Sequence, residues 1–256
     1  MEKRVLKLNL EQLKNYNIFK EELKSFELLK NQGFNNISYL LKTTNKSYVI
    51  RVFKSKESVN ISREFEYKIQ KKAHKKNIAS KPIFLNENFM IYEYQKGIHK
   101  TKLSNLELKN LVSKIKKFHN FKIEENPYDL KVDLENYEQK LNDKKSKKLI
   151  NDSFKSIKIL KKQKYEAVLT HHDLNPKNII FNKKNFKIID WEYAGVNDRF
   201  FDLASVCIEF KLNKKQEKIL LDSYFKTKRS YHKIKLKHYK IIYDSFCKLW
   251  FKANSL

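Results

Sequence analysis

Three glycines and three prolines are all the backbone punctuation this chain carries in 256 residues, well under the usual share of roughly 7% Gly and 5% Pro. A chain this poor in glycine has few places to turn sharply or to bring its backbone against a phosphate. Neither G-x-x-x-x-G-K-[ST] nor G-x-G-x-x-G occurs, which argues against a P-loop NTPase. The few punctuating residues therefore mark positions of interest. Gly33 precedes Phe34-Asn35-Asn36. Gly97 follows the apolar, β-prone run Phe89-Met90-Ile91-Tyr92-Glu93-Tyr94. Gly195 follows Ile188-Ile189-Asp190-Trp191-Glu192-Tyr193-Ala194, and Pro176 lies within His171-His172-Asp173-Leu174-Asn175-Pro176-Lys177-Asn178. Three of these four adjoin carboxylates.

Hydrophobic periodicity divides the chain in two. Residues 8–31 read as a helix through Leu10, Leu13, Phe26 and Leu29. Strands are predicted over 37–41 and 47–53, a helix over 62–75, and a strand pair over 83–85 and 89–94. Beyond Gly97 the pattern turns helical: Leu108, Leu111, Val112, Ile115 and Phe118 share one face, and 132–160 and 214–224 continue in that style. The exception is 168–190, where short apolar runs alternate with polar turns. This pattern predicts an α+β protein of two lobes with a cleft between them, a small strand-rich lobe over 1–95 and a larger, mostly helical lobe over 96–256.

Charge excludes less than it suggests. The formal net charge is +27, carried by 51 lysines and only five arginines. Lysines set between Leu, Ile and Phe at helical spacing describe solvated faces of amphipathic helices. A reader of nucleic acid would use more Arg, whose planar fork grips phosphates and bases; the field would still attract a polyanion such as ATP. No apolar run approaches the roughly 18 residues of a membrane span. The opening Met1-Glu2-Lys3-Arg4-Val5-Leu6-Lys7 does not read as a secretory signal. Cys207 and Cys247 show neither metal-type spacing nor a disulfide framework, so the cytoplasm is the expected compartment.

Chemistry concentrates in His171-x-Asp173-Leu174-x-x-x-Asn178, followed by Lys187-Ile188-Ile189-Asp190. Asp173 can accept a proton from an alcohol, while Asn178 and Asp190 supply hard oxygen ligands to Mg²⁺, whose shell ATP phosphates complete. The structural alternative is an N-capping Asp and two turn residues. This segment resembles the catalytic loop of the protein-kinase-like small-molecule kinases, which include aminoglycoside phosphotransferases and choline kinases. Ile189-Asp190-Trp191-Glu192-Tyr193-Ala194-Gly195-x-Asn197-Asp198-x-x-x-Asp202-Leu203-Ala204 is similar to the choline/ethanolamine kinase family in particular, and Glu209 falls where that family places an acidic residue.

The resemblance implies a protein-kinase-like fold and roles for further residues. Arg51 would lie over the α- and β-phosphates of ATP, with Glu64 as the partner holding it. Asn35, in the turn after Gly33, would cover the phosphates, and Glu93-Tyr94 would meet adenine at an interlobe hinge. His171 would brace the catalytic loop and Asp202 would anchor its backbone. His119 reads as a packing or capping residue, His172 as solvent-facing, and His232 and His238 have no identifiable partner. An ammonium alcohol needs aromatic faces and negative charge; Tyr193, Trp250, Glu192 and Glu209 are the candidates, though the run Tyr239, Tyr243, Phe246, Trp250 is equally a core stripe. The implied protein is an ATP- and Mg²⁺-dependent kinase of a small amino alcohol, choline first. Ethanolamine, an aminoglycoside or a sugar are alternative acceptors, and a basic nucleic-acid-binding module on an inactive kinase fold is the non-enzyme alternative. No membrane insertion is expected, and a homodimer is allowed for.

Overall fold

The computed structural model describes residues 8–30, 32–54, 62–183, 185–227 and 229–254. The opening heptapeptide, read above for a signal, lies outside them. The chain divides into two compact units: described residues up to Ile98 with Ile180–Tyr193, and His99–Ile179 with Ala194–Leu256.

The first unit begins with helix α1 (Leu10–Asn15), started by a reciprocal Asn9–Gln12 capping box and left at Asn17, whose φ of 50° is left-handed. A five-stranded antiparallel sheet follows, made of β1 (Leu23–Leu28), β2 (Asn36–Thr43), β3 (Ser47–Phe53), β4 (Pro82–Leu85) and β5 (Phe89–Glu93) in the order β1-β2-β3-β5-β4. The helix expected over 8–31 is thus two elements, one helical and one extended. Pairing of β1 with β2 overrides the helical spacing, and Phe26 stacks on Tyr39 across that pair with ring centroids 4.4 Å apart.

Strand β3 explains where Arg51 goes. Tyr48, Ile50 and Val52 point into one core, with Leu13, Phe89 and Ile91. Val49 and Phe53 point into the other, with Met90, Tyr92 and the half-buried Tyr67 of helix α2 (Arg63–Lys75). By the two-residue period of a strand, Arg51 shares the face of Val49 and Phe53 and is aimed at α2. Gly97 fits because a Cβ there would lie 2.3 Å from the Phe181 carbonyl oxygen. Ile98 and Phe181 exchange both backbone hydrogen bonds beside it, which joins the chain after β5 to the hairpin of β7 (Ile179–Asn182) and β8 (Asn185–Ile188).

The second unit holds helices α3 (Asn105–His119), α4 (Leu130–Lys140), α5 (Lys144–Leu160), α6 (Phe200–Glu209), α7 (Lys214–Tyr224) and α8 (Ser230–Ala253), with β6 (Ala167–Thr170) paired antiparallel to β9 (Gly195–Asp198). The stretch expected to be helical over 132–160 is broken by Asp143, whose side chain caps α5 by accepting from the Lys145 and Ser146 amides. Ser146, Ile150, Ser153 and Ser156 form the buried face of α5, while Lys144, Lys145, Lys147 and Lys148 are exposed. The lysine excess is, on this helix, a solvated face as read from the sequence. Every residue of α6 from Phe200 to Cys207 is buried, so this helix is the centre of the unit. Among the described residues no helix is long and apolar enough to cross a membrane.

Candidate active site

In the first unit, two arginines and three carboxylates form a closed cluster. Arg51 Nη1 lies 2.7 Å from Glu66 Oε1 and 2.9 Å from Asp190 Oδ1, and its Nη2 lies 3.1 Å from Glu192 Oε2. Arg63 Nη1 donates to Glu66 Oε2 and Glu192 Oε2, each at 3.0 Å, and its guanidinium sits 4.2 Å over the Phe53 ring. Burial opposes the Arg51 charge, but Glu66, Asp190 and Glu192 more than offset it and hold its pKa well above the ordinary value. Burial likewise works against the Glu192 carboxylate, and Arg51, the Asn36 amide and Arg63 keep its pKa below the ordinary range. Asp190 has φ of 63°, a left-handed geometry that Asp tolerates better than most residues.

Two expectations need correction here, and a third narrows. Glu64 is exposed and accepts from the Ser62 hydroxyl at 3.5 Å, and Glu66 is the carboxylate that holds Arg51; two residues further along α2 turns the side chain from solvent to the sheet. Glu192 does not face outward for an ammonium group. It accepts from Arg51, Arg63, Asn36 and, at 3.0 Å, Asn35, which makes it the counter-ion of two arginines. At Glu93 and Tyr94 the amides are taken, donating to Lys81 O and Ser47 O at 2.9 Å each, so the backbone groups expected to meet adenine there narrow to the carbonyls. Asn35 does sit in the turn entering β2, and its amide donates to Glu192 and, at 2.7 Å, to the Tyr193 hydroxyl.

In the second unit the loop after β6 carries Asp173 and Asn178. The Asn178 amide donates to the Asp173 carbonyl at 3.0 Å and to Asp173 Oδ2 at 2.7 Å, and Asn175 Nδ2 donates to Asp173 Oδ1 at 2.8 Å. Both carboxylate oxygens are thereby aimed. Because Asn178 spends its NH₂ on Asp173, its carbonyl oxygen is the end available to a cation, and Asn178 itself is buried. Asn175, which the sequence reading passed over, also caps the short turn Pro176–Asn178 by accepting from the Lys177 amide.

Asp202 anchors this loop as anticipated, with Oδ2 accepting the His171 amide at 2.8 Å and Oδ1 the His172 amide at 3.0 Å. His171 Nδ1 accepts from the Asp173 amide at 3.3 Å, the bracing role foreseen for it. His119 is more than packing: Nε2 lies 3.0 Å from Asp202 and Nδ1 lies 2.7 Å from the Tyr224 hydroxyl. Burial pulls the His119 pKa down, so the ring is neutral, donating from Nε2 to Asp202 and accepting from Tyr224. Burial opposes the Asp202 charge, and the His119 hydrogen bond and the loop amides hold its pKa below the ordinary range. His172 is not solvent-facing. It has φ of 66°, contacts Thr170 Oγ1 and Asn197 Nδ2 at 3.0 Å each, and packs between Tyr128 and Phe201. His238 also has a partner, with Nδ1 3.2 Å from the Ser156 hydroxyl.

Of the acceptor candidates in this unit, Glu209 accepts from the Tyr243 hydroxyl at 3.1 Å. Burial and the Asp173 carboxylate push its pKa up, against the hydrogen bond from Tyr243. The aromatic stripe is divided. Tyr239 and Tyr243 are core, Phe246 packs beside Leu134, Ile150 and Leu249, and Trp250 is half-buried with its ring edge-on to Phe251. Among the described residues no group of three or more His, Cys, Asp or Glu is arranged to hold a metal; the two expected oxygen donors, Asn178 and Asp190, belong to different units.

Comparison with known proteins bears on the family and the fold. The chain is 26% identical to a LicA homolog of Mycoplasma capricolum subsp. capricolum over 88% of both chains. Its fold is similar to the crystal structure of choline kinase LicA from Streptococcus pneumoniae, with a TM-score of 0.79, 23% identity, and coverage of 96% of this chain and 91% of that one. A LicA crystal structure in complex with AMP matches with a TM-score of 0.77 and 24% identity, covering 96% of this chain and 89% of that one. Residues 29–235 match the APH group, described as the phosphotransferase enzyme family, so an α+β kinase-like chain carrying this loop is a member of that phosphotransferase family.

Proposed function

We propose that the protein transfers a phosphoryl group from ATP to the hydroxyl of a small amino alcohol, with choline the leading acceptor, in the cytoplasm. The observation that carries the chemistry is the Asp173 carboxylate, gripped by Asn175 and Asn178 on a loop whose amides are fixed by Asp202. A carboxylate aimed in this way orients an acceptor hydroxyl and takes its proton as the new P–O bond forms. Asn178, through its carbonyl, and Asp190 are the hard oxygen donors that suit Mg²⁺. Such an ion would offset the charge of the transferring phosphoryl group. Arg51, fixed by three carboxylates, serves the α- and β-phosphates from an unmoving position, which keeps the reorganisation cost low.

Choline is favoured by the relatives named above and by the Glu209–Tyr243 pair. Glu209 has its pKa raised by burial and by Asp173, so a cation entering beside it would relieve that repulsion. Trp250, in the same unit as Glu209, would supply an aromatic face. Two free cysteines fit a reducing compartment. The test is ADP release with Mg²⁺-ATP and a panel of choline, ethanolamine, an aminoglycoside and a sugar. Choline should exceed the others in kcat/KM by about tenfold or more, the value of one desolvated cation–π contact of roughly 1.4 kcal/mol. Equal turnover with the aminoglycoside, or ADP release that no acceptor stimulates, would overturn the assignment.

A further inference from the structure

Away from the Asp173 loop, at the start of α8, a cavity of about 420 Å³ is lined by Lys164, Lys226, Arg229, Tyr231, His232 and Glu166. Its volume falls in the range of small-ligand pockets. Glu166, the one carboxylate on the wall, is already paired with Lys235 at 3.5 Å and Arg199 at 3.8 Å. Lys226 and Arg229 have no ion-pair partner among the described residues, so the wall is positive. Helix α8 begins here with Arg229 as its N-cap, and no side chain caps its first amides. Those N–H groups add the positive end of a 24-residue helix dipole.

The second, independent observation is His232. Its side chain is only 5% exposed, is stacked on Phe225 at 3.8 Å between ring centroids, and lines the cavity without a hydrogen bond to either ring nitrogen from any described residue. Lys164, Lys226 and Arg229 would each repel a cation, and an oxyanion is the group that satisfies all of them together with His232.

From this arrangement we infer that the cavity at the start of α8 binds a phosphate-class oxyanion, either inorganic phosphate or the phosphate end of a small phosphomonoester. The guanidinium of Arg229 and the ammonium of Lys226 meet the oxygens, and the His232 ring donates to them once protonated. Burial pulls the His232 pKa down; Glu166 acts upward, and Arg229, Lys235 and Arg199 act downward. A bound dianion reverses the balance, so binding should raise the pH at which the ring titrates, against the ligand's own loss of charge near pH 6.

The probes are inorganic phosphate and glycerol 3-phosphate, titrated into the full chain at constant ionic strength. Binding is followed by calorimetry and by the His232 ring resonances, with chloride as the control anion. Saturable binding should move the His232 resonances and raise the pH at which the ring titrates. Stronger binding of glycerol 3-phosphate would identify an ester as the ligand, and equal binding would identify phosphate alone. Replacing the two exposed cations together (Lys226→Gln with Arg229→Gln) should weaken binding about tenfold or more, from the loss of charge-assisted hydrogen bonds. A second variant, His232→Gln, should lose the share of the pH dependence between about 5.5 and 7.5 that the ring contributes, keeping only that of the ligand's own second ionisation near pH 6. The inference fails if phosphate shifts His232 no more than chloride does, or if the double variant binds phosphate as the unaltered protein does.

Discussion

Nη1 of Arg51 lies 2.7 Å from Oε1 of Glu66, with both side chains almost wholly out of solvent. The nearer acidic residue in sequence terms, Glu64, points away. Glu66→Gln should destabilise the protein by about 3 kcal/mol, the scale for breaking a buried ion pair, and should raise the KM for ATP because Arg51 loses its main anchor. Glu64→Gln should stay within about 0.5 kcal/mol, as exposed substitutions do. Urea unfolding of the two variants side by side checks this, and the reverse ranking would reject Glu66 as the anchor.

Asp173→Asn keeps the shape of the side chain and removes its charge and proton-accepting capacity. Turnover should drop by at least about a hundredfold, the lower end for general-base assistance, with the KM for ATP little changed. Asp190→Ala should abolish Mg²⁺-dependent turnover. A loss in the Asp173 variant confined to the KM for ATP would mean that this carboxylate organises only the nucleotide.

Tyr193 is tied to the turn that leads into β2 through its hydroxyl and Asn35. Tyr193→Phe should therefore raise the KM for ATP as well as for the acceptor, each by about three- to tenfold for one lost hydrogen bond of roughly 1 kcal/mol. Steady-state kinetics with either substrate varied will show whether both move. If the acceptor KM alone rises, the Asn35 contact does not couple the turn to catalysis.

The neutral His119 gives stability a pH dependence of definite sign. Its pKa is lower in the folded protein than the usual 6.5, so the unfolded chain binds the proton first as pH falls. Stability contributed by the neutral ring is complete above about pH 6.5 and declines below it. Asp202, also lowered, adds a second decline in the acid range beneath the ordinary carboxylate value. His119→Gln should flatten the curve between about pH 5 and 6.5 relative to the unaltered protein. Melting temperatures measured across that window compare the two directly, and His232 and His238, which share the same sign, cancel in the comparison.

The glycines separate by what surrounds them. At Gly97 an added methyl would meet the Phe181 carbonyl oxygen at 2.3 Å and the Ile180 side chain at 2.6 Å. Gly97→Ala should thus cost about 1–3 kcal/mol, as overpacking does. Nothing lies within 4 Å of such a methyl at Gly33, so Gly33→Ala should be neutral or stabilise by up to about 1 kcal/mol through the unfolded chain. Denaturant midpoints of the pair check it.

Sequence alone made the loop legible because Asp173 and Asn178 are five residues apart on one short turn whose amides Asp202 holds. The strands over 36–53 were legible because Tyr48, Ile50 and Val52 alternate with residues of a second core. The fate of β1 was not, since Leu23–Leu28 carries helical spacing and becomes extended only by pairing with β2. Glu66 was hidden for a geometric reason: which of two glutamates on one turn faces a strand depends on the rotation of the helix about its axis. Glu192 was misread because its neighbours in space, Arg51, Arg63 and Asn36, lie more than a hundred residues away in sequence.

Among the described lysines one stands apart from the rest. Lys235 is 1% exposed, its amine bonded to Asp198 Oδ2 at 2.6 Å and to the Lys164 carbonyl at 2.7 Å, whereas lysines such as Lys148 and Lys214 reach into water. An amine-acylating reagent will modify those at once and reach Lys235 only when α8 lifts from β9. The time course at that single side chain is therefore a clock for the opening of the helical unit, readable by mass against a background of its fast-reacting neighbours.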